Sequence, residues 1–360
     1  ANRIITLGDS AGVSLGFASD NIAIGSKALK SMGVGNTNIA IGNGALQRNT
    51  FSQNIGIGHA ALQQNNSGGT NIALGHNSLL NNIGGNANIS IGFGAMLTNQ
   101  YGSDNLAIGT YSLINNTTGL RNIAIGRYAL KENSIGYDNM AIGYESMYSV
   151  DIGHENLAIG KWAMYYNQEG NKNTVIGFRA LENSVDNENT VVGHRAGFGI
   201  TTGRKNVAIG VNTMESGADG SYTVGIGHNA LQNGYGSVNT ALGAFAMRNT
   251  TSGESNAAVG FEAMPSNTDG EFNTAVGYEA LRNNVNGDYH IAIGYNTGTA
   301  FSSNNLNNTI GIGNNGTLHT ISNQVVIGNS AMTHIGGFQP WEVYSDARIK
   351  FDVREDIIGL

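Results

Sequence analysis

The sequence of 360 residues contains no cysteine, only two prolines and few charged residues. Without cysteine there is neither a disulfide framework nor thiolate chemistry, which is compatible with a reducing cytosol and with a protein outside the cell. Charged residues make up 12% and the net charge is −7. This balance excludes binding of nucleic acid by phosphate neutralisation and a charge-driven disordered tail.

Long apolar runs are also absent. None approaches the roughly 20 residues needed to cross a bilayer, and residues 1–8 lack the basic and apolar regions of a signal peptide. We therefore expect a soluble chain without membrane insertion, and the first residue, which is not Met, suggests a fragment.

Glycine and asparagine are abundant, with 53 and 50 residues, and both favour turns over regular packing. They recur in a string of the type Asn-Ile-Ala-Ile-Gly, usually every 16 or 17 residues, with final intervals of 19 and 15. The repeat ends at Gly25, Gly42, Gly58, Gly75, Gly92, Gly109, Gly126, Gly143, Gly160, Gly177, Gly193, Gly210, Gly227, Gly243, Gly260, Gly277, Gly294, Gly313 and Gly328. Gly8 is expected to end one more copy. A fixed period of this kind predicts a repeat architecture.

Each repeat alternates with period two before its glycine, which predicts a short β-strand. The residue directly before the glycine is always aliphatic, as at Ile24 and Ile41, and we expect it in the core. The small residue before that, such as Ala23 or Ala40, is then expected to point outward. A small-then-large pair such as Ala28-Leu29 is expected to complete the thin core.

Asparagine stands four residues before the glycine in 15 of the 19 clear repeats. Stacked coils would align these side chains as a hydrogen-bonded amide ladder, so we expect them to be structural. Repeats of about 17 residues are too short for helical pairs or propeller blades. The sequence predicts an all-β parallel β-solenoid of about 19 to 20 coils, on the order of 90 to 95 Å long at about 4.8 Å per coil.

A coil this small buries little apolar surface against its ordering entropy, which indicates that the rod needs partners. An unbroken outward file of small residues would allow close approach of another backbone. We therefore expect a parallel homotrimer packed along the alanine file.

The Asn-x-Ala-Ile-Gly-x-x-Ala repeat over residues 4–332 resembles the head repeats of trimeric autotransporter adhesins and the repeats of bacteriophage tail fibres. The resemblance implies parallel β-rolls that associate as trimers. The coil is longer here than is typical of the adhesin heads.

The period fails after Met332, and the chain becomes richer in charge. We divide it into a rod (1–335), a neck (336–344) and the truncated start of a C-terminal module (345–360). Residues 345–350, Ser-Asp-Ala-Arg-Ile-Lys, are similar to the opening of the self-cleaving intramolecular chaperone of phage tailspikes, endosialidases and tail fibres. That resemblance implies a trimerising chaperone that cuts itself off before Ser345, with Lys350 activating the serine.

A serine–lysine pair can do this chemistry, because a neutral lysine takes the hydroxyl proton while the serine attacks the preceding peptide bond. The alternative is a solvated helix start capped by Ser345. A chaperone that fixes the register of the three chains would prevent identical coils from pairing out of register.

Aromatic and histidine side chains recur one or two residues after the repeat glycine, and stacking would align them as an outward ridge. Tyr128, Tyr144, Trp162 and Phe178 are the candidate binding residues for a cell-surface glycan or protein receptor. The alternative is that these rings shield the coil edge and neighbouring chains.

Other sites are not supported by the pattern. His59 and His76 occupy equivalent positions without a third metal ligand, and no phosphate-loop motif or calcium-binding Gly-Gly-x-Gly-x-Asp repeat occurs. Glu145, Glu262 and Glu279 form no paired constellation like that of a glycosidase. We expect no cofactor and no metal.

These observations favour a structural and adhesive fibre outside the cell, on a virion tail or a bacterial surface, which is not an enzyme apart from possible self-cleavage. Two alternatives stay open. The first is a tailspike-type polysaccharide depolymerase, which requires clustered carboxylates. The second is an ice-binding solenoid, which requires a continuous file of threonines. Threonine takes the outer strand position only at Thr174, Thr190, Thr240 and Thr274.

Overall fold

A computed structural model of the protein describes residues 3–16, 18–31, 33, 35–217, 219–234, 236–298, 306–316 and 320–333. The predicted neck and C-terminal module, with Ser345 and Lys350, lie outside these residues. The described chain is an all-β parallel β-solenoid with coils of about 17 residues, which confirms the predicted fold class. No helix long and apolar enough to span a membrane occurs in this part of the chain.

Twenty strands, β1 to β20, follow one another in the described residues. They are Ile4–Leu7, Asn21–Ile24, Ile39–Ile41, Ile55–Ile57, Ile72–Leu74, Ile89–Ile91, Leu106–Ile108, Ile123–Ile125, Met140–Ile142, Leu157–Ile159, Thr174–Ile176, Thr190–Val192, Val207–Ile209, Val224–Ile226, Thr240–Leu242, Ala257–Val259, Thr274–Val276, Ile291–Ile293, Ile310–Ile312 and Val325–Ile327. Each strand pairs in parallel with the next, and equivalent residues face each other, as Ala124 faces Ala141. One coil therefore adds one strand to a single continuous sheet.

The facing of the strands is the reverse of the sequence prediction. Ala124 at the strand centre is fully buried, whereas Ile123 and Ile125 on either side are only partly buried. The predicted outward alanine file is therefore inside the coil, and the aliphatic residues point out. The prediction that a trimer packs along the alanine file is wrong.

The narrow interior explains this facing. The large residue four positions after most repeat glycines, such as Leu46 or Leu130, is fully buried and fills the coil, whereas Gly197 and Gly298 take this position in two coils. A methyl group added at Gly56 would lie only 3.1 Å from the Cγ atom of Leu46 and from the carbonyl oxygen of Ala61. The strand centre therefore takes residues no larger than Val175 and Val191 among those fully buried there, and the isoleucines are placed outside.

The predicted asparagine ladder is confirmed. The backbone N–H of Asn139 donates to Oδ1 of Asn122 at 3.1 Å, and Nδ2 of Asn122 donates to the carbonyl oxygen of Gly136 at 2.8 Å. Thr223, His290 and Thr309 take the same buried position in three later coils. Because each amide satisfies backbone groups inside the coil, the ladder fixes the turn before every strand.

A second buried ladder was not predicted. It consists of asparagines seven residues after the repeat glycine, where Nδ2 of Asn99 donates to Oδ1 of Asn82 at 2.9 Å and to the carbonyl oxygen of Gly102 at 3.0 Å. The other members of its longest run are Asn49, Asn65, Asn116 and Asn133. This ladder is interrupted by Val150, Ser184 and Ile200.

Glycine is required at two positions of the coil. The repeat glycine Gly126 has φ of +134°, and a Cβ atom there would lie 2.3 Å from the carbonyl oxygen of Gly143 in the next coil. At Gly102, ten residues after Gly92, an added Cβ atom would lie 2.3 Å from Oδ1 of Asn99. The repeat glycine thus supplies both a left-handed backbone and room for the next coil.

Candidate binding face

The side chains one and two residues after the repeat glycine form one outward face, which we call the variable face. The backbone turns sharply there. Tyr128 and Trp162 have φ of 59° and 58°, values that residues other than glycine rarely adopt. Their rings extend from the coil and meet rings of neighbouring coils. The predicted ridge is therefore present as a geometric feature.

The ridge consists of stacked and edge-on rings. His59 stacks on His76 with centroids 4.8 Å apart, and His76 stacks on Phe93 at 5.0 Å. Near the other end, Tyr278 and Tyr295 stack at 5.4 Å. The imidazole rings of His59 and His76 thus belong to this aromatic stack. In the described part of the chain, no group of three His, Asp or Glu side chains is arranged to hold a metal ion.

The structure brings three of the four predicted binding residues together. Tyr144 lies edge-on to Trp162 with centroids 6.5 Å apart, and Trp162 lies 5.8 Å from Phe178. Tyr128 belongs to a neighbouring group, because it stacks on Tyr111 at 5.6 Å. Whether these rings bind a receptor stays a prediction.

A second aromatic column was missed in the sequence. Tyr148 stacks on Tyr165 with centroids 4.9 Å apart, and Tyr165 lies edge-on to Tyr166 at 4.6 Å. Burial raises the pKa of Tyr165. Tyr148 and Tyr165 both lie five residues after a repeat glycine, and this shared spacing could have identified the column.

Cationic side chains cover several of these rings. Nζ of Lys161 lies 4.0 Å from the ring centroid of Trp162, and Nζ of Lys131 lies 4.5 Å from that of Tyr148. Of the ten such contacts among the described residues, eight lie within residues 127–198. The middle of the rod therefore carries a concentrated network of rings and charges.

Two carboxylates complete a cleft in this network. Nε1 of Trp162 donates to Glu145 at 2.7 Å, and a hydrogen bond with Glu145 raises the pKa of the Tyr144 hydroxyl. Glu182, whose side chain is 8% exposed, accepts from Nη2 of Arg179 at 3.0 Å, and this bond raises the pKa of the guanidinium.

These groups shape a cleft of about 280 Å³, which we call the Trp162 cleft. Its lining residues are Glu145, Trp162, Tyr165, Tyr166, Arg179 and Glu182. Rings, carboxylates and a guanidinium held in fixed positions can stack on a flat ligand and hydrogen-bond its hydroxyl groups. The cleft is thus suited to binding.

The remaining candidate carboxylates have other partners. Glu262 and Glu279 both contact Arg282, at 3.5 and 2.7 Å. Thr174 and Thr190 face each other on adjacent strands, but Val207 continues their file. The threonine file is therefore interrupted by aliphatic residues.

No protein-family model matches this chain, and no curated protein matches it.

Proposed function

We propose that this chain forms the rod of a homotrimeric attachment fibre outside the cell. The observation that carries the proposal is the outward aliphatic face of the sheet, formed by the first and last residues of the strands. On this face Ile57, Leu242 and Ile293 are 37%, 44% and 42% exposed. The resemblance of the repeat to trimeric adhesin heads and tail fibres supports the assembly and the role.

The size of the aliphatic face supports a stable interface. Twenty strands at about 4.8 Å give a length on the order of 90 Å, and three strand residues give a width of about 10 Å. The strip thus measures roughly 900 Å², more than the largest apolar patch of a typical monomer. It is close to the about 800 Å² that each partner buries in a stable interface.

A second copy of the same chain is the occupant that fits this face best. Its aliphatic side chains recur with the same coil spacing, so the pairs can repeat along the whole rod. No arginine, lysine or carboxylate occupies the face among the described strands, and a charged partner is therefore disfavoured. The adhesin resemblance favours three copies over two.

The native mass of the full chain tests the proposal. We expect a trimer for the wild type and a monomer for a variant in which Ile108, Ile125 and Ile142 are all changed to Glu. The buried charges would have no partners in the interface. A matched control places glutamates at Tyr101, Thr118 and Ile135, exposed residues nine positions after the repeat glycine in consecutive coils, and it should stay trimeric. A folded monomeric wild type would refute the proposal.

The C-terminal module is a separate proposal, which rests on the sequence resemblance alone. The Ser345 hydroxyl would attack the carbonyl carbon of Tyr344 while Lys350 takes its proton. The bond from that carbon to the Ser345 nitrogen would then break, with Lys350 returning the proton to the amine, and water would hydrolyse the ester that still joins Tyr344 to Ser345. We expect the denatured mass of the complete gene product to be that of a chain ending at Tyr344. The mass of the Ser345→Ala variant should still include the residues from 345 onward. Equal uncut masses for both would remove the self-cleavage and leave the trimeric rod untouched.

A further inference from the structure

Two polar clefts occupy consecutive coils along one corner of the rod, beside the second asparagine ladder, and we call the two together the groove. Side chains six and eight residues after the repeat glycine border it, because the asparagine between them points inward. Gln64, Asn66, Asn81 and Gln100 line its first part. The second part is lined by Asn115, Glu132, Ser134, Asp151 and Gln168. These positions belong to eight consecutive coils, so the groove extends for about 34 Å at about 4.8 Å per step.

Amide and hydroxyl side chains line much of the groove, and such groups both donate and accept hydrogen bonds. Arg48, Ile83, Glu132 and Asp151 take the equivalent positions in other coils. Backbone groups along the groove are already paired: the N–H of Asn81 donates to the carbonyl oxygen of Leu97 at 3.1 Å, and that of Ile83 to Gln100 at 2.9 Å. An extended peptide therefore finds no free strand edge to join here.

The groove meets the Trp162 cleft at Tyr166. This tyrosine lies six residues after Gly160, in the row that borders the groove, and it also lines the cleft. Its ring is 54% exposed. A polymer in the groove would thus reach an exposed ring beside Trp162, where a flat sugar face can stack.

The charge around the groove and the cleft disfavours an anionic polymer. Their lining contains two guanidinium groups and five carboxylates, those of Glu132, Glu145, Asp151, Glu169 and Glu182. The nearby lysines already have partners, because Lys131 pairs with Glu132 at 2.7 Å and Lys161 covers the ring of Trp162. The whole chain also has a net charge of −7. Like charges would repel a uronate or sulfate chain on approach and in contact.

We infer that the groove binds a neutral polysaccharide chain along the rod axis, with one of its sugar rings against Tyr166, beside Trp162. The inference names the receptor class for the attachment role proposed above and rests on it. Polar lining positions recur along the axis, so a polymer that lies along the groove can contact several coils at once.

Fluorescence of Trp162 tests this inference in the full chain. The sequence has two tryptophans, so Trp341→Phe leaves Trp162 as the reporter. The probes are dextran, mannan, galactan and xylan, with heparin as the polyanion. We expect a saturable fluorescence change with at least one neutral polymer and none with heparin. Affinity for its oligosaccharides should rise with length until they span the groove.

Variants locate the binding in the groove. Tyr166→Ala at the cleft and Asn81→Arg in the groove should each weaken binding at least tenfold. Tyr278→Ala removes an exposed tyrosine of the variable face outside the groove, and it should bind as the parent does. Response to heparin alone, no response to any neutral polymer, or unchanged binding by Tyr166→Ala would each overturn the inference.

The native mass of every variant distinguishes a failure of this inference from a failure of the fibre proposal. A trimer without a polysaccharide response refutes the groove and leaves the fibre. A monomer refutes the fibre whatever its fluorescence shows. The two failures are therefore distinct.

Discussion

Removing one rung of the first asparagine ladder by Asn122→Ala should destabilise the rod by about 2–4 kcal/mol. The backbone N–H of Asn139 loses its acceptor at 3.1 Å, and Asn139 is buried. The carbonyl oxygen of Gly136 loses Nδ2 of Asn122 at 2.8 Å but keeps Nδ2 of Asn133 at 3.2 Å. Nδ2 of Asn122 also donates to Oδ1 of Asn105 at 3.2 Å, and that oxygen keeps the backbone N–H of residue 122. One orphaned donor costs about 1–3 kcal/mol, and the two lost hydrogen bonds, whose acceptors keep another partner, add about 1 kcal/mol together.

Urea unfolding and hydrogen exchange measure this effect together. Because coils in a solenoid contact only their neighbours, the amide of Asn139 should lose protection before distant coils do. Thr118→Ala on the exposed surface of the same region is the control, and its unfolding free energy should change by less than about 0.5 kcal/mol. A loss below about 1 kcal/mol for Asn122→Ala, with unchanged exchange at Asn139, would refute the structural role of the ladder.

Three further predictions concern other parts of the coil. Thr223→Asn should raise the unfolding free energy by about 1 kcal/mol in urea, because an amide restores the usual ladder bonds of this buried rung; equal or lower stability would contradict this. Ala124→Leu should cost about 1–3 kcal/mol by overpacking the interior, and an unchanged urea midpoint would show that the alanine faces outward. The hydroxyl of Thr201 donates to Asp219 and, with backbone N–H groups, lowers the pKa of that carboxyl below 3.8. This bond therefore stabilises the fold above about pH 4, and the stabilisation is lost as the pH falls further. The melting temperature of the Asp219→Asn variant should depend less on acid pH than that of the wild type. An unchanged pH dependence would contradict this prediction.

The fold class could be predicted because the period of the sequence fixes the coil. A strand of three residues, an asparagine and a glycine recur together, so stacking in register is the one arrangement that satisfies every repeat at once. Trp162, Tyr144 and Phe178 were predicted to lie together for the same reason. Residues at one position of the repeat share one face of the rod.

The facing of the strands could not be predicted from alternation alone. A period of two allows either Ala124 or Ile125 to point inward, and the sequence does not say which. The choice depends on what else fills the coil, and Leu130 already fills it. The Trp162 cleft was missed because it joins positions two, five and six of several coils, including Tyr166 and Glu182.

The order of the amino acids is enough to identify a stack of equivalent coils, because the repeat of Asn122, its strand and Gly126 imposes the same turn and the same strand each time. Which side of each strand is inside depends on the packing of the folded chain. The volume available in a narrow coil depends on residues that are apart in sequence and meet only after the chain has turned. The stacking of the coils likewise brings Glu145, Trp162 and Arg179, which belong to three different coils, into one cleft.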